Sequence, residues 1–199
     1  MTLQEFTALL ILATAMSFTP GPNTTLSTAL AANFGLKRAM PFVCAVPVGW
    51  GLLISACALG LGPLVQTVPA LHWGIKIIGC GYLLWLAIKL WQTNRLTQAN
   101  QAQLNVGFTQ GVALQFINIK AWMLALTITG GWVIGKPEAG MRFAMVLPVM
   151  MCYAFCSNLT YAAVGSVLRE WLSVGSRLNH FNRLMSVVLS LTSVWMFSS

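Results

Sequence analysis

The stretch Thr19-Pro20-Gly21-Pro22-Asn23 interrupts an otherwise apolar run from Leu9 to Leu30. Its two prolines remove two backbone N–H donors, and Gly21 between them adds conformational freedom. A helix broken there holds carbonyl groups that nothing within it can satisfy. In hydrocarbon such groups persist only where neighbouring helices, water or a ligand meets them. Many membrane carriers build a site near the bilayer midplane from interruptions of this kind. The stretch therefore predicts both a membrane setting and a place within it where polar chemistry is done.

The rest of the chain agrees with the membrane setting. Of 199 residues, 57% are hydrophobic and only 7% are charged, whereas a soluble domain carries roughly 25% charged residues. Mean hydropathy is +0.76. The apolar runs are continuous and about 20 residues long, which indicates helices rather than a barrel. The predicted fold is all-α, a polytopic helical membrane protein with a single transmembrane domain over 1–199. Six spans are expected, at about 5–33, 40–62, 69–91, 106–134, 140–167 and 180–198.

A Gln/Asn-rich linker from Thr93 to Asn105 separates repeat one, about 1–92, from repeat two, about 106–199. Three spans in each half make the halves inverted relative to each other, so the expected plan is two inverted three-helix repeats. The run Gln115-Phe116-Ile117-Asn118-Ile119-Lys120 lies as deep in span four as Thr19–Asn23 lies in span one. A fainter echo links His72-Trp73-Gly74 with His180-Phe181-Asn182. Met1–Glu5 lacks the basic start of a signal peptide, so the first apolar segment is expected to be a retained span.

The net charge of +8 comes from 11 basic residues against three acids, the basic ones dispersed between the spans except for Lys76 and Lys120, which lie within them. That dispersal excludes a nucleic-acid partner and suits chain orientation and contact with anionic lipid. Loops after spans one, three and five hold Lys37, Arg38, Lys89, Arg95, Arg169, Arg177 and Arg183, while the other loops hold only Lys136 and Arg142. The bias places the odd loops in the cytoplasm and both termini on the periplasmic side.

Lys120 is the basic residue nearest the middle of a clearly apolar span, where insertion costs about 2.5–3.5 kcal/mol. An ionisable group at that depth reads as functional; the alternative is a lysine held by helix carbonyls. Its expected neighbours are Asn118, Gln115 and the opened carbonyls around Pro20–Asn23. Together they suit a zwitterion, with lysine for a carboxylate and carbonyl or amide oxygens for an ammonium. Glu5, Glu138 and Glu170 are the only acids, and all lie near span ends or in loops. With no carboxylate at mid-span, neutral amino acids are favoured over cationic ones.

Asn158, beside Ser157 and Thr160, either lines the same cavity or bonds a neighbouring helix. Gly49, Gly51, Gly79 and Gly81 are expected to permit close helix packing, which allows a homodimer without demanding one. Pro41, Pro47 and Pro148 bend helices at most. Cys44, Cys57, Cys80, Cys152 and Cys156 form no CxxC or zinc spacing and read as small buried hydrophobes. His72 and His180 read as interfacial, and several of the eight tryptophans sit near span ends as an aromatic belt would place them. The candidate substrate-binding residues are thus Thr19, Pro20, Gly21, Pro22, Asn23, Gln115, Asn118, Lys120 and Asn158, with no metal and no cofactor.

These motifs bring a family into view. Pro20-Gly21-Pro22-Asn23, Gly35 before the basic loop, Gly81-Tyr82-Leu83-Leu84-Trp85-Leu86 and Asn118-Ile119-Lys120 together resemble the LysE/RhtB family of amino-acid exporters. That family commonly has Asn-Pro-Lys in span four, so the missing proline bears on whether the second helix is broken. The aliphatic Ile119, with Gln115-Phe116 ahead and Asn158 in span five, is similar to the cysteine/O-acetylserine-exporting branch. The resemblance implies export of small neutral amino acids across the bacterial inner membrane, driven by the proton gradient. Rival readings are an exporter of threonine, homoserine or lysine, a membrane thiol enzyme using Cys152 and Cys156, a scaffold subunit and a channel.

Overall fold

The computed structural model describes residues 1–93 and 106–198, and those residues form helices joined by short turns. The linker beyond Thr93, with Arg95, lies outside the described residues.

The first expected span is two helices. Helix α1 (Leu3–Phe18) opens with a capping box in which Glu5 N–H donates to Thr2 Oγ1 and Thr2 N–H donates to the Glu5 carboxylate. Helix α2 (Pro22–Phe34) starts with Pro22 in its first turn, where a missing N–H leaves no bond unmade. It stops at Gly35, whose φ of +86° turns the chain straight into α3 (Leu36–Ala56). A wider-turn segment extends α3 to Leu61 and contains Gly60 at φ +107°. The short α4 (Gly62–Thr67) leads to α5 (Pro69–Gln92).

In the second half, α6 (Phe108–Ile117) and α7 (Ile119–Ile128, continued by a wider turn to Val133) are bent by 68° at Asn118. Helix α8 (Ala139–Leu172) has 34 residues, or about 51 Å at 1.5 Å per residue. It outruns the ~30 Å hydrocarbon layer and absorbs Arg169, expected in a loop, into its last turn. Helix α9 (Arg177–Ser198) completes the described chain.

The extended α3, α5 and α8 are long and apolar enough to cross a membrane, and the α6–α7 pair makes a fourth crossing if counted as one. At 16 residues α1 is shorter, and α9 carries Asn182, Ser186, Ser190 and Ser193 along its length.

Helix α2 occupies the middle of the bundle, with almost every residue buried, including Thr24, Thr25, Ser27, Thr28 and Asn33. It packs on α8 and α3, while α3 packs on α6 and α8, and α5 on α9. Small residues permit these approaches. A Cβ at position 165 would lie 2.3 Å from the Thr28 carbonyl oxygen, one at 49 would lie 2.7 Å from that of Val112, and one at 79 would lie 2.0 Å from that of Ile117. Gly51 likewise abuts the Met151 sulfur. The expectation fails at Gly81, where an added Cβ would meet nothing within 4 Å. Two residues beyond Gly79, it lies about 200° round the helix, on the exposed side of α5.

Two large apolar clusters fill the interior, beside a small one of Ala32, Leu172 and Leu178. One gathers Leu26, Phe42, Leu83, Leu86, Leu90 and Leu114; the other gathers Leu9, Trp50, Leu53, Trp122, Ile128 and Met150. Polar ties close the two ends. At one end Asn33 and Asn182 exchange bonds of 2.8 and 3.0 Å, and Asn182 also donates to Thr93 O. At the other, Glu5 accepts from Arg142 at 3.1 Å and from the Trp132 indole.

Candidate functional site

Three carbonyls at the first interruption find side-chain donors. Ser157 Oγ donates to Ser17 O at 2.7 Å, Tyr161 Oη to Phe18 O at 2.9 Å, and Lys120 Nζ to Thr19 O at 2.9 Å. Tyr153, Ser157 and Tyr161 recur every fourth residue on α8, so they share the face that meets α1. Tyr153 Oη accepts from Thr14. Sequence reasoning missed this face, although the polar spacing i, i+4, i+8 within an apolar helix was its signal. Thr160 is not part of it, because its hydroxyl turns back to Cys156 O.

Gly21 has a role other than the one its neighbours in sequence suggest. Its φ of −168° is extended backbone open to any residue. Space is what glycine supplies, since a Cβ there would lie 3.3 Å from both Cδ and Nζ of Lys120 and press on the lysine stem. The lysine stem lies across the interruption through the room that Gly21 leaves.

The second interruption forms without proline. Asn118 adopts φ −90° and ψ 102° between α6 and α7, and its carbonyl accepts from Ala121 and Trp122 N–H at 2.9 and 3.2 Å. The Trp122 indole donates to Phe116 O at 2.8 Å and replaces a lost helix donor. Gly79 clears the space that the Ile117 carbonyl enters. Tertiary contacts thus hold open a break that the family motif would assign to proline.

The side chain of Asn118 is 2% exposed, yet it makes no capping bond, and its Oδ1 is the one buried side-chain polar atom without a partner among the described residues. Such an atom ordinarily costs about 1–3 kcal/mol. The other buried amides are paired. Asn23 and Gln115 bond each other reciprocally at 2.8 and 3.1 Å, and Asn158 takes Ser27 Oγ at 2.9 Å while donating to Ala154 O.

Both interruptions face one cavity of about 70 Å³ between the two large apolar clusters. Of the residues expected at the site, Thr19, Gly21, Pro22, Asn23, Asn118, Lys120 and Asn158 line it. Pro20 does not, and it is exposed. Gln115 is fully buried behind Asn23 and also stays off the lining. Asn158 satisfies both of its expected readings, since it lines the cavity and bonds a neighbouring helix. Met16, Ser17, Thr24, Trp50, Leu124 and Met150 are lining residues that sequence reasoning did not select. Lys120 is the one charged lining residue, with no acid beside it in the wall.

A helical membrane protein with a polar cavity at two facing helix interruptions, and a single cation in its wall, has the design of a carrier for small polar solutes. The chain belongs to the LysE type translocator family, whose model matches residues 14–197. It is a multi-pass membrane transporter and not an enzyme. It is similar to proteins named cysteine/O-acetylserine efflux protein. The one from Salmonella choleraesuis is 24% identical over 179 residues, 90% of this chain and 88% of the relative. The one from Klebsiella pneumoniae is 26% identical over 164 residues, 82% and 83% of the two chains. The one from Escherichia coli is 24% identical over 184 residues, 92% and 90%. No solved structure matches this chain.

Proposed function

We propose that the protein is a secondary carrier that exports small neutral amino acids, of the cysteine and O-acetylserine kind, from the bacterial cytoplasm across the inner membrane. One observation carries this reading: interruptions from opposite halves of the chain meet at one cavity, bridged by Lys120. A zwitterion suits that bridge. Its carboxylate takes the Lys120 ammonium, and its own ammonium takes the Thr19 carbonyl that the lysine gives up, so one hydrogen bond is exchanged for two charge-assisted ones. Gly21, Pro22, Asn23, Asn118 and Asn158 complete the binding wall. Pro20 shapes the interruption, and Gln115 holds Asn23 from behind.

The transmembrane plan we assign is six spans in two inverted repeats forming a single domain. The α1–α2 and α6–α7 pairs are the broken first span of each repeat, and both termini are periplasmic. The cavity extends along α1, α3, α7 and α8 toward the end that carries the termini, past Met16, Trp50, Leu124 and Met150. At the opposite end Gly165 lies against the Thr28 backbone and Gly111 against the Ala45 side chain. These features support an outward-facing arrangement, in which transport requires the α2–α8 and α3–α6 contacts to part in turn. The relatives' names support the substrate class, and the absence of an acid from the cavity wall supports neutral solutes over cationic ones. Exchange against protons supplies the drive.

Counterflow in proteoliposomes tests the reading. Saturable exchange of cysteine, O-acetylserine and serine is expected, with lysine and arginine excluded and a response to an imposed pH step. Purified, folded protein that exchanges none of a full amino-acid panel would overturn the assignment.

A further inference from the structure

We propose that Asn118 reads the side chain of the transported amino acid, its amide serving as acceptor or as donor. The site would then admit short side chains that end in a thiol or hydroxyl as well as those that end in a carbonyl. The inference rests on the exporter reading above and adds to it the residue that sets side-chain preference.

Asn118 stands where an asparagine is among the best helix caps, at the start of α7, and yet makes no capping bond. The fold therefore does not use its amide locally. Nor does the amide support a neighbouring helix, since Oδ1 has no partner at 2% residue exposure. Buried polar groups left unpaired in this way call for an explanation beyond packing. The residue lines the cavity while its Oδ1 is buried from solvent, so a bound solute meets the amide by its turning about the terminal torsion.

The α-substituents of that solute are already provided for. Lys120 Nζ and Thr19 O offer a cation and an acceptor 2.9 Å apart. Asn23, Gln115 and Asn158 are occupied by protein partners. What remains for Asn118 is the side chain. Met16, Leu124 and Met150 give much of the wall an apolar character and offer no donor, while the Trp50 indole N–H, a donor only, has nothing with which to accept from a thiol or hydroxyl. The terminal torsion of asparagine is broad and roughly two-fold, so one rotation exchanges Oδ1 for Nδ2. As Oδ1 the group accepts from a thiol or hydroxyl; as Nδ2 it donates to an ester carbonyl. A single residue thereby accommodates the two unlike ends of cysteine and O-acetylserine.

Near-isosteric pairs test the idea in proteoliposomes of the full-length protein. Serine is compared with alanine, and cysteine with 2-aminobutyrate. The wild type is expected to prefer the polar member by roughly ten-fold, the scale of one well-made hydrogen bond in a closed site. In Asn118→Leu and in Asn118→Ala that ratio is expected to fall to about two or less, with a melting temperature equal to or above the wild type, because an unpaired buried amide has been removed. Thermal stabilisation of purified protein by serine against alanine should show the same collapse. A ratio kept while all substrates weaken together would place Asn118 at the α-substituents or the scaffold and overturn the inference. So would a wild type indifferent within each pair, or loss of folding in both variants. Failure of the wild type to exchange any amino acid would instead remove the exporter reading itself.

Discussion

Lys120 Nζ donates to the Thr19 carbonyl oxygen at 2.9 Å, a bond between residues 101 positions apart that ties the second helix interruption to the first. It makes one lysine both a structural bridge between the halves of the chain and the positive charge of the cavity. Of the two readings open at the level of sequence, the contact shows a lysine held by a carbonyl, and its place in the cavity wall supports the proposed binding role. A ligand carboxylate that takes the ammonium also releases the bridge.

Lys120→Met keeps the apolar stem and removes the charge. Export measured by counterflow is expected to fall at least about 100-fold, the scale of losing a charge-assisted contact to a carboxylate. Membrane insertion and the detergent-extracted monodisperse peak should persist. Near-normal exchange by this variant would remove Lys120 from the binding role.

Gly21→Ala places a Cβ 3.3 Å from the Lys120 stem, and the stem is flexible enough to yield. Half-saturation is expected to rise roughly three- to ten-fold, because the ammonium is displaced, with the melting temperature little changed. A large loss of folding with unaltered affinity in the surviving fraction would contradict this account of Gly21.

Gly79 and Gly81 form a paired test on one helix. Gly79→Ala puts a Cβ into the Ile117 carbonyl, which neither backbone can avoid without shifting. It should lower stability by about 1–3 kcal/mol or more and impair transport. Gly81→Ala meets open space and should leave the melting temperature the same or raise it, since alanine favours the helix by up to ~1 kcal/mol. Equal effects at the two positions would show that the Ile117 contact is wrong.

Trp122→Phe retains an aromatic ring in the core and removes the indole donor to Phe116 O. Leaving that carbonyl unmet should cost about 1–3 kcal/mol, read as a lower melting temperature together with reduced exchange. An unchanged melting temperature would mean that the bend at Asn118 does not depend on the indole.

Asn33 and Asn182 invite a double-mutant cycle. Asn182→Leu strands Asn33, so each single change should destabilise by about 1–3 kcal/mol, while Asn33→Leu with Asn182→Leu should lose less than the sum. Strict additivity would indicate that the reciprocal pair is not formed.

The membrane setting and the helical class were legible in the chain, because composition and run length report the solvent that a segment needs. So was the first interruption, since a proline cannot donate a hydrogen bond in any context. The second was not. Asn118 has no proline beside it, and its bend rests on Trp122 and Gly79, whose relevance depends on how α7 and α5 meet the end of α6. Gln115 looked like a ligand because it is polar and deep, but its amide is taken by Asn23 from the other half of the chain. The donors Ser157 and Tyr161 were hidden for a related reason: a hydroxyl on an apolar helix shows its purpose only when the carbonyl it serves is in view.

By itself, then, the sequence determined a helical membrane protein with an opened helix near its start and a lone deep lysine in its second half. These are consequences of covalent structure and solvent, independent of neighbours. Tertiary structure alone decided that Lys120 reaches Thr19, that Gly21 gives room to the lysine stem rather than freedom to the backbone, and that Asn118 is left with an unpaired amide at the cavity. The physical reason is that hydrogen-bond satisfaction inside a bilayer is settled between helices, so which polar group remains free for a ligand is known only once all the others have found their partners.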